Sequence, residues 1–268
     1  MLTPLREEVG MTATTASGRA GDGGLKSVAT TLDLLDLFMT DDELGVTEVA
    51  RYLGVAKSSA HRMLTTLVSR GFAEKDPQTG RYRLGLHMYE LGQLSVSRNR
   101  LRRTALPLME QLREMTGLTI HLAVADGADV VHLERLVSRN GIELLADLPR
   151  RIPTHCSASG KAIAAFDAEV AAARRRARFP VLTSASVRTE REFDAMLRDI
   201  RRRGTASNNG EGLDGAGSIA APVLDGTGRA RAAISLVGAM PVIDRSRDHY
   251  ARLAVAASQR LSRLVAWD

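Results

Sequence analysis

Between Ala56 and Gly71 the apolar residues Ala60, Met63, Leu64, Leu67 and Val68 recur at three- and four-residue steps, a spacing that predicts a helix with one buried face. Ser58, Arg62, Thr65 and Ser69 fall on the opposite face. Upstream, Thr47 to Leu53 predicts a shorter helix with Val49, Ala50 and Leu53 inward, closed by Gly54, since a residue without a side chain takes the left-handed conformation after a helix end. The turn Gly54-Val55-Ala56 joins the two helices. Downstream, Phe72 to Lys75 and Arg81 to Leu84 flank Asp76-Pro77-Gln78-Thr79-Gly80, whose Pro and Gly mark a tight turn, so a two-stranded wing is expected there. Ser27 to Met39, with Val28, Leu32, Leu35, Leu37 and Phe38, supplies a first helix to pack beneath the pair. This succession predicts a winged helix-turn-helix domain over residues 25–85.

Residues 1–24 are rich in Gly, Ala and Thr with little to bury, and a disordered tail is expected. Leu86 to Val96 predicts a linker helix, within residues 86–100, with Met88, Leu91 and Leu94 roughly in line. That stripe suits a subunit contact, because a small winged domain is closed without it. Leu101, Ala105, Leu108, Leu112 and Met115 predict a second helix that Gly117 ends. Strand-like segments follow: Leu118 to Ala125 with Val130 to Leu136, and Ser218 to Leu224 with Arg229 to Val237, both pairs joined by turns that read as hairpins. Helices are predicted over Ser157 to Phe166, Ala168 to Phe179 and Glu190 to Arg203, the last with a Thr189/Glu192 capping box, and finally from about Asp244 to Ala266. Residues 101–268 therefore read as an α+β domain with an antiparallel sheet.

Charge sharpens the picture at the first domain. No carboxylate occurs from Ala56 to Ala73, and from Arg51 to His87 the cations Arg51, Lys57, Arg62, Arg70, Lys75, Arg81 and Arg83 face only Glu74 and Asp76 among the residues around the helix and wing. Such an excess is a footprint for a polyanion. A second helix that enters the major groove N-terminus first would place Ser58, Ser59, His61, Arg62 and Thr65 at bases or their edges, with Lys57, Arg51, Arg81, Tyr82 and Arg83 at the backbone. The net charge of +6 fits a double-stranded DNA operator as partner. A single cysteine, Cys156, excludes an intrachain disulfide and a thiolate zinc cluster and points to a reducing compartment. No apolar run approaches the ~18 residues of a membrane span, so a cytoplasmic protein without a membrane partner is expected.

The stretch LGVTEVARYLGVAKSSAHRMLTTLVSRGFAEKDPQTGRYRLGLHMYELG resembles the N-terminal DNA-binding domain of IclR-type bacterial transcriptional regulators. HLAVADGADVVHLERL, IPTHCSASGKA and EGLDGAGSIAAPVLDGTGRARAAISL are similar in order and spacing to that family's C-terminal effector domain, so the resemblance covers about residues 25–265. It implies a GAF-like effector-binding fold, a homodimer or homotetramer, and a small-molecule effector, a small organic acid in some members. Carried over by motif, the ligand positions are Ala158 and Ser159 ahead of Gly160-Lys161, Asn208, Ser218 and Ser235. Neutral donors at a helix N-terminus suit a carboxylate. The sequence departs at Val237, where some relatives carry serine, and at Asn208, where some carry aspartate. His121 joins the candidates because it shares a strand face with Thr119 and Ala123.

Other features read more plainly. Cys156 beside His155 suggests a nucleophile and base, yet a strand-like approach would aim neighbours to opposite faces, and no catalytic residue is expected. His121, His132 and His155 match no metal spacing and read as core or pocket-wall residues, so neither a metal nor a cofactor is expected. The runs Arg174-Arg175-Arg176-Ala177-Arg178 and Arg201-Arg202-Arg203 read as solvated helix ends, and Gly226 and Gly228 as a hairpin turn. Two alternatives stay open: an enzyme whose winged part only localises it, and a DNA-binding protein whose second domain is an oligomerisation scaffold.

Overall fold

The computed structural model describes residues 25–138, 150–265 and 267, and the tail expected over residues 1–24 lies outside them. The chain divides into two compact units at the Ser97–Arg98 boundary. The first comprises α1 (Lys26–Leu37), α2 (Val46–Leu53), α3 (Lys57–Ser69), β1 (Ala73–Lys75), β2 (Tyr82–Leu84) and α4 (Leu86–Arg98). Leu34, Phe38, Leu44, Val49, Ala60, Leu64, Leu67, Ala73 and Tyr82 form its core. Gly54 ends α2 in the left-handed conformation, φ 63°, its N–H donating to the carbonyls of Ala50 and Arg51, and so turns the chain into α3. The wing pairs Ala73 with Leu84 and Lys75 with Tyr82. Leu44 adds a rung, exchanging two backbone hydrogen bonds of 2.9 Å with Tyr82. At the wing's base a Cβ on Gly85 would collide with the Gly71 carbonyl, so the strands close only on glycine there.

Two apolar stripes differ from the sequence expectation. On α1 the buried residues are Leu34 and Phe38, while Val28 and Leu32 are 52% and 58% exposed on the far side. On α3 Ala60, Leu64 and Leu67 are buried, as expected, but Val68 is exposed. A domain this small covers a stripe of about 100° on each helix, and Val68 lies at the edge of it.

The second unit opens with α5 (Arg100–Thr116), capped by the Asn99 side chain, which accepts from the Arg102 N–H at 2.9 Å, and closed by left-handed Gly117. Then follow β3 (Thr119–Asp126), β4 (Asp129–Leu136), β5 (Arg151–Pro153), a 3-10 turn at Thr154–Cys156, α6 (Ala158–Phe166), α7 (Ala168–Arg176), α8 (Glu190–Arg203), β6 (Ala206–Asn209), β7 (Ala216–Leu224), β8 (Ala230–Ala239), α9 (Met240–Arg245) and α10 (Arg247–Leu264). The strands form one sheet in the order β5-β4-β3-β8-β7-β6, every neighbouring pair antiparallel. Both expected hairpins are present, and β3 joins them by pairing with β8.

Period-two alternation gives this sheet two apolar faces. Ile120, Leu122, Ile219, Val223, Ile234 and Leu236 meet Leu108, Met109 and Leu112 of α5 and Ala254 and Leu261 of α10. Ala123, Ala220 and Ala233 point the other way, toward Ala158, Ala162 and Ile163 of α6, with Phe193 and Leu197 of α8 in the same cluster. The small side chains let α6 lie close enough that it is buried from Ala158 to Ala165. A Cβ on its Gly160 would collide with the Thr154 carbonyl.

Several boundaries depart from the expected ones. The strands β5 and β6 escaped the sequence reading because they are three and four residues long and lack alternation; their pairing comes from β4 and β7. The helix expected to Phe179 ends at Arg176, after which Arg178 takes φ 64°. The final helix is two, broken at Ser246. On α5, Met115 is 58% exposed and Met109 is fully buried in its place. Met109→Ala should therefore cost about 2–5 kcal/mol of stability, and Met115→Ala less than about 0.5 kcal/mol. Equilibrium denaturation of the two variants checks this order, and equal losses would contradict the core assignment.

Candidate functional site

The exposed face of α3 carries Lys57, Ser58, Ser59, His61, Arg62 and Thr65, all open to solvent. The cap residue Ala56 offers no side-chain acceptor and the first turn holds no acid, so the Lys57 and Ser58 N–H groups have no partner among the described residues. A bare helix N-terminus beside cations favours an anion. Lys57, Arg62, Arg70 and Arg51 form no ion pair among the described residues; the Arg51 guanidinium lies 5.0 Å from the Tyr52 ring centroid.

The wing corrects part of the sequence reading. Tyr82 is 2% exposed and packs in the core, so it is not a contact residue. The alternation that exposes Arg83 turns its neighbour Tyr82 inward. Arg81 is engaged internally: its Nη2 donates to Glu48 Oε2 at 2.7 Å and to the Glu43 carbonyl at 2.9 Å. Glu48 Oε2 also accepts from the Gly45 N–H at 2.7 Å, and that backbone bond, followed by Arg81, holds the carboxyl below its ordinary range. Arg81 thus ties the wing to the start of α2. Arg83 faces Glu74 at 3.2 Å on the exposed wing surface. The capping-box position of Glu48 after Gly45 was the available signal for this tether.

In the second unit His121, Ala158, Ser159, Asn208, Ser218 and Ser235 line one cavity, together with His132, Ile152, Ser157, Gly212, Leu213, Ala216, Gly217 and Val237. Strand register explains the convergence. His121 lies opposite Ser235, Ser218 opposite Val237 and Asn208 opposite Ser218, all on the α6 side of the sheet. The cavity holds about 30 Å³. That is room for one or two waters, well below the few hundred Å³ or more typical of a ligand pocket. Among the described residues that line it there is no carboxylate, lysine or arginine.

Its polar groups divide into committed and available ones. Asn208 Nδ2 donates to the Cys156 carbonyl at 3.2 Å and Oδ1 accepts from the Glu211 N–H at 2.8 Å, so this amide braces the wall. Ser157 Oγ caps α6 by accepting from the Gly160 N–H at 2.9 Å. The hydroxyls of Ser159, Ser218 and Ser235 make no hydrogen bond among the described residues, and His121 Nε2 has no partner while the residue is 2% exposed. A buried donor or acceptor left unpaired costs about 1–3 kcal/mol. Burial, with His132 next, holds the His121 imidazole well below its ordinary pKa, in the neutral form.

Behind the cavity wall lies a buried polar network. Lys161, 1% exposed, pairs with Glu211 and so ties α6 to the segment Gly210–Gly215. Ser186 Oγ donates to the Glu211 carbonyl at 2.7 Å, and Thr183 Oγ1 to the Gly210 carbonyl at 2.7 Å. The Arg174 side chain is also buried, contrary to the expected solvated end, donating to the carbonyls of Arg178, Ala177 and Ala128 at 2.8, 3.0 and 3.1 Å. The turn after α7 folds the Ala177 and Arg178 carbonyls over it, and the β3–β4 turn brings that of Ala128. In the second run Arg201 Nε reaches the Ala165 carbonyl at 2.5 Å, whereas Arg202 and Arg203 stay exposed beside Asp199.

Cys156 and His155 do meet, with Sγ 3.3 Å from Nε2, because a 3-10 turn replaces the expected strand. The same Nε2 lies 3.0 Å from the Pro180 carbonyl, which only accepts, so this nitrogen carries the proton and is no base toward sulfur. Burial pushes the thiol up to about 11 and the imidazole down to about 4. A protonated thiol beside a neutral donor is not an activated nucleophile. Among the described residues no cluster of His, Cys, Asp or Glu has the arrangement of a metal site.

Sequence reasoning left Ile152, Gly212, Leu213 and Ala216 out of the cavity. His132 was legible as a wall residue, since the hairpin register sets it opposite Ala123, two residues along from His121.

A family model described as bacterial transcriptional regulator IclR C-terminal matches residues 93–263, and one described as the IclR helix-turn-helix domain matches residues 27–77. The chain is 31% identical over 215 residues to the HTH-type transcriptional regulator XynR of Escherichia coli strain K12, covering 79% of this chain and 85% of that one. It is 34% identical over 229 residues to the HTH-type transcriptional regulator BhcR of Paracoccus denitrificans, covering 82% of each. An IclR-type regulator from Alicyclobacillus acidocaldarius superposes with a TM-score of 0.78 at 25% identity, over 90% of this chain and 99% of that one. A homologue from Microbacterium hydrocarbonoxydans complexed with 4-hydroxybenzoate does so with a TM-score of 0.71 at 26% identity, over 89% and 100%.

Burial of His155 in its neutral form has a measurable consequence. Its folded pKa of about 4 lies below the unfolded value near 6.5, so between these pH values the unfolded chain binds the extra proton and stability falls as the pH falls. The loss attributable to this group is up to about 3 kcal/mol. His155→Gln should flatten that part of the profile in denaturation measured from pH 7 to pH 4; an unchanged slope would contradict the assignment.

Proposed function

The chain belongs to the IclR family of bacterial transcriptional regulators and is a DNA-binding regulator of that type, and we propose that α3 reads a palindromic or pseudo-palindromic operator in the major groove. The observation that carries this is the carboxylate-free, solvent-open face of α3. Ser58, Ser59, His61, Arg62 and Thr65 stand toward base edges, and Lys57, Arg51 and Arg83 toward phosphates. Arg81 acts at one remove, by holding the wing. The protein is cytoplasmic and acts by binding rather than by catalysis. Among the described residues no helix is long and apolar enough to cross a membrane.

Two such units grip a two-fold operator in a homodimer or homotetramer. Exposed apolar residues support this: Leu86, Tyr89, Leu91, Leu94 and Val96 on α4, and Leu25, Val28 and Leu32 at α1, are 40–74% exposed. α4 is the linker between the DNA-reading domain, 25–85, and the effector and oligomerisation domain, 101–268.

The effector is a small organic acid held in the cavity of the second unit, its carboxylate at the Ala158 and Ser159 N–H groups of α6 and the hydroxyls of Ser159, Ser218 and Ser235. The relative bound to 4-hydroxybenzoate supports an acid of this kind. A 30 Å³ cavity admits such a ligand only when its wall moves outward. Binding therefore favours a different arrangement from the closed one, which is what control requires.

Two substitutions test the division of labour. Arg62→Ala should weaken specific operator binding by about 1–3 kcal/mol and relax base preference, with thermal stability unchanged; an unchanged footprint and affinity would remove Arg62 from the interface. Ser235→Phe should abolish the thermal shift given by 4-hydroxybenzoate and related acids in the wild type while operator binding persists. Loss of operator binding in this variant, with the fold intact, would overturn that reading.

A further inference from the structure

The ladder between β3 and β8 stops early. It ends at Ala123 opposite Ala233, whereas β3 runs on to Asp126 beside β4 and β8 begins at Ala230 beside β7. The two hairpins therefore part over three residues of each strand, and an open groove of about 600 Å³ lies there, lined by Val124, Ala125 and Ala230 among others. A continuous sheet keeps its two faces apart; here residues of both meet. Val124 and Leu133 pack against the aliphatic side, Val170 and Ala230 belong to the α6 side, and all four line the groove. Leu101 and Trp267 add to the apolar floor, and with Val124 and Leu133 they remain only partly covered. A volume of several hundred Å³ is that of a small-molecule site.

Charge around this floor is uneven. Arg229 is committed: its Nε donates to Asp167 Oδ2 at 2.7 Å and its Nη2 pairs with Glu169, and these two are the carboxylates among the described lining residues. Arg176 and Arg231 also line the groove and are exposed. Arg231 Nε lies 3.9 Å from Asp225 Oδ2, and Arg176 forms no ion pair among the described residues. An apolar floor beside cations with little compensating charge fits a molecule that is apolar over most of its length and anionic at one end. We propose that this groove is a second ligand site, separate from the cavity at the α6 N-terminus, and that it takes an amphipathic carboxylate of the medium-chain fatty-acid class. Arg176 and Arg231 face the carboxylate, and the chain lies on Leu101, Val124, Leu133 and Trp267. The two sites lie toward opposite ends of β3 and β8, so this one stands whether or not the first holds an effector.

Trp267 is the sole tryptophan of the sequence, so its emission reports on this groove. Titration of the full chain with octanoate and decanoate, both below their micelle concentrations, should change that emission saturably. Decanoate should bind about tenfold tighter, since each further buried CH₂ adds about fourfold, and decanol, which has the chain without the charge, should bind more weakly than decanoate. Arg176→Glu, a change at an exposed side chain, should weaken decanoate about fivefold or more with the thermal midpoint unchanged. Ala173→Phe, which places a ring in the groove, should remove the response. Should Ala173→Phe fail to fold, Arg176→Glu and the decanol comparison still decide. No emission change with either acid, equal affinity for decanoate in wild type and Arg176→Glu, decanol binding as tightly as decanoate, or a response that survives in folded Ala173→Phe would each overturn the proposal.

Discussion

Side-chain alternation along β3, β8 and β7 is the constraint on which the second unit depends. Each strand must give its large aliphatic residues to α5 and α10 and its small or polar ones to α6, because successive residues point to opposite faces. Leucines and isoleucines on the first face build the larger part of the core. On the second, alanines let α6 approach, and where the alanines give way to His121, Ser235, Ser218 and Asn208 the gap becomes a polar cavity. A one-residue slip of register would send those four groups into the aliphatic core and leave leucines beneath α6. The bulge between Leu122 and Ala123 adjusts the β3–β4 register, setting His121 opposite Arg135 while Ala123 stays opposite His132.

The first unit solves a similar problem with a helix. Ala60, Leu64 and Leu67 are enough to seat α3, which leaves the rest of its circumference free for chemistry. Arg81 and Glu48 set the hairpin's position, and among the described residues no ion pair involves the α3 face. Both units thus separate the groups that hold the fold from those that remain available.

Much of this was legible in the sequence because the signals were periodic or chemically specific. The three-four spacing around Leu64, the left-handed glycine at position 54, the Pro-Gly wing turn and both hairpins each follow from one local rule. The six candidate ligand residues converge because the resemblance supplied five of them, and period-two reasoning supplied His121. What escaped was set by tertiary cover. Whether Leu34 or Leu32 faces inward depends on where α2 lies, and Met109 replaced Met115 for the same reason. Tyr82 read as a contact by its company of arginines, yet its strand turns it inward. The meeting of Cys156 with His155 required a 3-10 turn that no spacing announced, and the commitment of Asn208 depends on Glu211 and Cys156 lying beside it.

The measurement that bears most directly on this account is the thermodynamic coupling between operator and effector. Operator affinity is determined with and without a saturating concentration of the acid that most raises the thermal midpoint, and the affinity for that acid with and without operator. The account predicts that the two ratios differ from one and agree with each other, as linkage demands of two sites biasing one equilibrium. Operator affinity identical at zero and saturating acid would contradict it.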